Sequence, residues 1–250
     1  MADSRLVIIN NLSKSFGSFN VLNKISLYVN FSENFVVFGR SGSGKSVLLK
    51  CIIRLLKPDG GEIYIKEKNM LELSIHELNE ARKEIGFLFQ SSALYDSMSV
   101  RENLEFPLKR HFNLPQPEID DKVSYTLELV SLNEAIDKMP SELSGGMRKR
   151  IGLARSIITD PELMLYDEPT TGLDPITSKE ISELILSLQN RLNMTSIVVT
   201  HDLICAEIIA DRAIILKDSK IIYEGKIQEI IKSDDLFIKN FFTRGKLKEQ

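Results

Sequence analysis

The segment Gly39-Arg40-Ser41-Gly42-Ser43-Gly44-Lys45-Ser46 fits the GxxxxGK[ST] spacing of a phosphate-cradling loop. In such a turn successive backbone N–H groups point at phosphate oxygens, and the helix that follows adds positive potential at its N-terminus. Gly39, Gly42 and Gly44 permit backbone angles and a close approach that a Cβ would block. Lys45 is placed to reach the β- and γ-phosphates of a nucleoside triphosphate, and the Ser46 hydroxyl to ligate Mg²⁺. Further on, Leu163-Met164-Leu165-Tyr166-Asp167-Glu168 is an apolar run ending in two carboxylates. Asp167 can hold the Mg²⁺ shell, directly or through water, and Glu168, one peptide further, can polarise an attacking water. The plainer alternative is a pair of solvated acids opening a loop.

Such chemistry needs rigid strand ends to present it. Phe35-Val36-Val37-Phe38 is an apolar strand feeding straight into Gly39, and 46–56 reads as a buried helix closed by Lys57-Pro58-Asp59-Gly60-Gly61. The continuous apolar runs at 35–38, 163–166 and 196–200 are those of strands buried on both faces of a parallel sheet. Ligands of such sheets gather at the carboxyl ends of the strands. Short β-prone pieces at 6–9, 25–29 and 63–65 predict an antiparallel layer around the nucleotide loop. From 92 to 158 the pattern is helical, with Pro115 and Pro117 in a polar connector. Two more strands, 213–216 and 221–223, are joined by the turn Lys217-Asp218-Ser219-Lys220. The predicted fold class is α/β: a phosphate-loop core sheet with an antiparallel β layer and an inserted helical lobe. The core takes 1–91 and 159–235, the lobe 92–158, and a mixed apolar and basic tail 236–250.

With 250 residues, 43% hydrophobic and 27% charged, the chain can bury one large domain. No apolar run approaches the roughly 18 to 20 residues of a membrane span, and Met1-Ala2-Asp3-Ser4-Arg5 has no secretory-signal pattern. A cytoplasmic protein is expected. Cys51 and Cys205 sit in apolar stretches and read as core residues. A net charge of −3 leaves no footprint for nucleic acid. The cluster Arg148-Lys149-Arg150 fits a solvated helix face as well as a phosphate contact.

Between the two motifs lies Leu143-Ser144-Gly145-Gly146-Met147. A phosphate loop, this pentapeptide and an acidic strand end, in that order, resemble the ATP-hydrolysing subunit of an ABC transporter. Further motifs follow the same order. Phe16, in Ser15-Phe16-Gly17, is placed like the aromatic that stacks on adenine, with an ordinary core Phe as the alternative. Gln90, in Phe87-Leu88-Phe89-Gln90, matches the glutamine loop that touches Mg²⁺ and couples to the membrane subunit. Leu173-Asp174-Pro175 matches the loop that meets the other protomer. His201 follows Ile197-Val198-Val199-Thr200, where the family places a histidine that contacts the γ-phosphate. The resemblance implies that Ser144, Gly145 and Gly146 face the γ-phosphate bound to the opposite protomer, so that two ATP molecules hold a homodimer together. A helix start rich in Ser and Gly exposes N–H groups to such an anion.

The stretch from Gln90 through Ser91-Ser92-Ala93-Leu94-Tyr95-Asp96-Ser97-Met98-Ser99-Val100 resembles the ATPases of Mce-associated, lipid-asymmetry phospholipid systems. So do Met147, where most ABC ATPases have Gln, and Thr171-Gly172-Leu173-Asp174-Pro175-Ile176-Thr177. That subfamily implies ATP and Mg²⁺, integral permease subunits, an Mce-domain substrate-binding protein and a peripheral place on the cytoplasmic face of the inner membrane. A small regulatory subunit on the helical lobe stays open. Other ABC systems are the alternative, either a small-solute importer or a division-associated complex that transports nothing. Repair, chromosome and ribosome ATPases need insertions or a second cassette for which this spacing leaves no room. Residues 90–106, with Leu94, Tyr95, Met98, Leu104 and Phe106, are expected to line the groove that receives a permease helix.

Overall fold

The computed structural model describes residues 4–232 and Ile238, so the tail expected over 236–250 lies, Ile238 apart, outside the described residues. In chain order the elements are β1 (Arg5–Phe16), β2 (Phe19–Asn30), β3 (Asn34–Phe38), α1 (Lys45–Ile52), β4 (Gly60–Ile65) and β5 (Lys68–Asn69). They continue with α2 (Ile75–Lys83), β6 (Ile85–Leu88), α3 (Val100–His111), α4 (Gln116–Leu129), α5 (Gly145–Ile157), β7 (Leu163–Asp167) and α6 (Pro175–Leu192). The described part closes with β8 (Thr195–Thr200), α7 (Leu203–Ile209), β9 (Arg212–Lys217), β10 (Lys220–Lys226) and α8 (Ile227–Ile231). They form two compact units: the described residues up to Leu78 with those from Thr195 onward, and Asn79–Met194.

In the first unit the β-prone pieces at 6–9 and 25–29 extend into a long hairpin. β1 pairs antiparallel with β2 and, along its other edge, with β4. Shifts of register along β1 interrupt the ladder near Asn11, which takes φ 49°. The second sheet segment runs β10-β9-β3-β8. β3 pairs parallel with β8 and with β9, and its five residues are all buried. The turn at 217–220 is a two-residue hairpin with Asp218 and Ser219 at φ 48° and 64°, the left-handed pair that matches strand twist. Arg212 ties the strands together. Its Nε donates to Glu33 Oε1 at 2.8 Å, its Nη2 to the Tyr28 carbonyl at 2.6 Å, and its guanidinium lies 4.3 Å from the Tyr28 ring centre. Cys51 and Cys205 are buried and in no disulfide, and burial pushes the Cys51 thiol up to about 11.

The helix expected over 46–56 stops at Ile52. Arg54 turns the chain at φ 52°, and its guanidinium donates to the carbonyls of Met70 (3.0 Å) and Leu73 (2.8 Å), which a continued helix would not allow.

In the second unit β6 and β7 pair in parallel. α5 packs on β6 and also meets α3, α4 and α6. Residues 92–99 are not helical, because Ser92 and Ala93 turn at φ 63° and 47°. Helix α3 starts later, where Ser99 and Glu102 close a reciprocal capping box. The polar connector is shorter than expected, since Pro115 caps α4 and Pro117 lies in its first turn, where a missing N–H costs nothing. Among the described residues no helix is long and apolar enough to cross a membrane.

Candidate functional site

In the first unit the phosphate loop leaves β3 and His201 leaves β8. Phe38 pairs with Thr200 in the parallel ladder, so Gly39 and His201 emerge side by side at the carboxyl edge. The fully buried strands fix that edge, while His201 itself is exposed. Lys45 is buried and its Nζ donates to the Gly39 carbonyl at 2.7 Å and the Arg40 carbonyl at 3.3 Å. Gly44 takes φ 101°, and a Cβ there would stand 2.9 Å from the Val21 side chain. Ser43 Oγ is buried without a hydrogen-bond partner, an orphan that a phosphate oxygen would satisfy. These features fit a triphosphate cradle with Ser46 at the head of α1. Beside the loop a cleft of about 330 Å³ is lined by Phe19, Val21, Arg40, Ser43, Lys217 and Ser219. Phe16 is not a core residue. It is 50% exposed at the end of the β1–β2 hairpin, with Lys14 Nζ 5.5 Å from its ring centre.

In the second unit Leu88 pairs with Tyr166, so Gln90 and the acids Asp167 and Glu168 leave neighbouring parallel strands at one edge. The two acids are 6% and 8% exposed, which excludes a solvated pair opening a loop. Glu168 takes φ 51°, a left-handed backbone unusual for a residue with a Cβ. Thr171 Oγ1 donates to Glu168 Oε2 at 3.4 Å. The Asp167 carboxylate is a hard oxygen donor of the kind Mg²⁺ takes, as is the Ser46 hydroxyl in the first unit. Among the described residues no three His, Cys, Asp or Glu side chains cluster as a metal site.

Ser144 caps α5, accepting from the Met147 amide at 3.2 Å, and leaves Gly145 and Gly146 at the helix start. At Gly146 a Cβ would meet Thr177 Cγ2 at 2.9 Å, so a larger residue would have to displace that side chain. Asp174 caps α6, accepting from the Ile176 and Thr177 amides at 3.1 and 3.0 Å and from the Thr177 hydroxyl at 2.6 Å. The Thr177 hydroxyl and amide hold the Asp174 carboxyl below its ordinary range.

Two expectations about this unit need correction. The Arg148-Lys149-Arg150 cluster is not one solvated face, since only Arg148 is exposed. Lys149 is 5% exposed and donates to the Gln90 carbonyl at 2.5 Å, while Arg150 reaches the Val130 carbonyl and Glu180. The buried spacing Lys149-Leu153-Ile157, one residue every helical turn, was the available sign. Leu104 does not belong to an exposed groove either, being fully buried in α3. Tyr95 does stand out at 41% exposure, with the Arg155 guanidinium 4.5 Å and the Phe106 ring 5.1 Å from its ring centre. Asn103, absent from the sequence reading, shapes this segment: its amide donates to the carbonyls of Tyr95, Met98 and Ser99 and accepts from the Tyr95 amide.

Strand-borne phosphate loop, capped Ser-Gly-Gly helix and buried acid pair define a class, the ATP-hydrolysing cassettes. The sequence pattern of the ABC transporter family matches residues 22–171. The intermembrane phospholipid transport system ATP-binding protein MlaF of Haemophilus influenzae is 42% identical over 96% of this chain and 90% of its own length. Its Escherichia coli K12 counterpart is 39% identical over 95% and 88%. An ATP-binding cassette solved as a dimer in a post-hydrolysis state with ADP and Pi aligns with a TM-score of 0.80 at 32% identity, covering 88% of this chain and 98% of that one. The chain belongs to the ABC transporter family.

Proposed function

We propose that this ATPase is the motor subunit of a membrane complex that moves phospholipid. It works as a homodimer on integral permease subunits at the cytoplasmic face of the inner membrane, with an Mce-domain protein as substrate-binding partner. The observation that carries the catalytic half of this reading is the buried Asp167–Glu168 pair at the end of β7, with Glu168 held in a left-handed backbone beside the strand that leads to Gln90. The lipid half rests on the two MlaF relatives, whose names give phospholipid transport.

In this reading the amides of 39–46 and the Lys45 ammonium bind the β- and γ-phosphates, and Phe16 stacks on adenine. Ser46, Gln90 and Asp167 hold Mg²⁺, which when bound neutralises charge on the phosphate oxygens. Glu168 takes the proton of the attacking water, and His201 donates to the γ-phosphate. Ser144, Gly145 and Gly146 close on the γ-phosphate of the other protomer, and Asp174 lies in the loop that meets it. Hydrolysis then releases the dimer, and the permease follows that opening.

The test is copurification of the tagged chain with an integral permease from its own membranes, followed by phosphate release and lipid mass spectrometry of the complex. Phospholipid should copurify, and Glu168→Gln should keep ATP binding while turnover falls about 10² to 10⁴-fold. A complex that hydrolyses ATP but carries and moves no phospholipid overturns the lipid assignment. Wild-type turnover in Glu168→Gln removes Glu168 as the base.

A further inference from the structure

Helix α5 begins at the signature Ser144-Gly145-Gly146 and buries a lysine one turn later. Lysines are rarely buried without a task, since taking an ammonium from water is costly unless it is paired. Lys149 Nζ donates to the backbone carbonyl of Gln90 at 2.5 Å. Burial pulls its pKa below the ordinary lysine range, and the carboxylates of Asp167 and then Glu168 oppose that pull. The ammonium therefore feels both acids at the end of β7 while it grips the loop at the end of β6. Gly145 and Lys149 are four residues apart and share one face of α5. A rigid helix turn thus joins the signature at one end to the glutamine-loop backbone at the other.

We propose that Lys149 is a positioning residue for hydrolysis: through the Gln90 carbonyl it locks the glutamine loop to the signature helix, so that engagement of Ser144 and the Gly145–Gly146 turn sets the Gln90 backbone beside Asp167 and Glu168. This rests on the roles given above to Gln90 and the signature. Backbone anchoring explains why the lysine is inside and why it points at a carbonyl, not at the Gln90 side chain. A purely structural lysine would leave no reason for the bond to join those two motifs. Lys149 touches no reacting atom in this arrangement. Its effect passes through the position of Gln90.

The test compares Lys149→Met and Lys149→Arg in the full chain, with ATP affinity from equilibrium binding, kcat and KM from phosphate release, and Tm. Methionine keeps the volume and apolar stem without the donor, and relief of the lysine's desolvation offsets the hydrogen bond that the Gln90 carbonyl gives up. In Lys149→Met we expect kcat to fall at least tenfold, with ATP affinity, KM and Tm near wild type (within about twofold for the constants). Lys149→Arg, which can still donate to the Gln90 carbonyl, should recover a third or more of kcat. Unchanged kcat in Lys149→Met overturns the proposal. So does a loss of kcat matched by a fall in Tm or in ATP affinity, and so does an arginine variant no better than methionine. Absence of ATPase in the wild-type chain would instead sink the functional reading on which this one stands.

Discussion

Glu168 holds its candidate role on a backbone that glycine adopts more readily. A residue with a Cβ at φ 51° carries about 1 to 2 kcal/mol of steric cost, and such outliers cluster where the surroundings enforce a functional geometry. Both Glu168→Gln and Glu168→Gly remove the base, but only glycine removes the Cβ. We expect the two to lose turnover alike, while urea denaturation finds Glu168→Gly more stable than Glu168→Ala, by about 1 kcal/mol. Because glycine also removes a buried side chain, Glu168→Ala is the control, and a glycine variant no more stable than the alanine variant would show that the backbone there is not strained. At this scale the sequence was highly legible, because phosphate loops, acid pairs and N-caps depend on residue type at fixed spacing. Lys149 was hidden by its neighbours: Arg148 and Arg150 make it look like one of three solvated cations, and only its phase with Leu153 and Ile157 tells it apart. Asn103 was hidden differently, since hydrogen bonds from one amide to a preceding loop leave no periodic trace.

At the scale of elements, apolar periodicity found the buried strands, whereas their ends depended on contacts distant in sequence. β1 and β2 outrun the apolar pieces that mark them because cross-strand pairing extends a ladder through polar residues such as Asn10 and Lys14. α1 ends early because Arg54 finds carbonyls more than a dozen residues away. α6 shows the reverse: the sequence reading places no helix there, although Asp174 as its cap, Pro175 at its first position and Asn193 just past its end mark both bounds. The segment between β6 and α3 is where packing sorted one apolar set into two. Leu104 turned inward, while Tyr95 stays partly exposed between Arg155 and Phe106. Tyr95→Asp should therefore leave Tm and ATP binding of the isolated subunit close to wild type, yet weaken permease copurification and transport. A core tyrosine would instead lose several kcal/mol from an unpaired buried charge. Intact assembly and transport in a stable Tyr95→Asp subunit would remove this segment from the permease interface.

For the whole molecule, the question is how two copies share one reaction. Each chain supplies a phosphate loop on one unit and a signature helix on the other, and the family resemblance pairs the loop of one copy with the signature of its mate. Lys45→Ala removes the buried ammonium proposed to meet phosphate, and Ser144→Arg fills the start of α5, the proposed anion site, with a large side chain. Each homodimer should be inactive, because every composite site carries a lesion. In the mixed dimer one site carries both lesions and the other carries neither. Turnover should then return on mixing, to no more than about half the wild-type rate per dimer if the intact site works alone. If activity returns, only a shared site can explain it, since neither chain alone holds an intact set. If the mixed dimer forms, as judged by tagging the two chains differently, and hydrolyses nothing, a single intact shared site is not sufficient. A control then decides between the remaining cases: a dimer of one wild-type chain and one Lys45→Ala, Ser144→Arg double mutant damages both composite sites in the shared arrangement and only one if each chain works by itself. Half activity in that control, with none in the mixed dimer, would place both motifs within a single chain's site and overturn the exchange between copies.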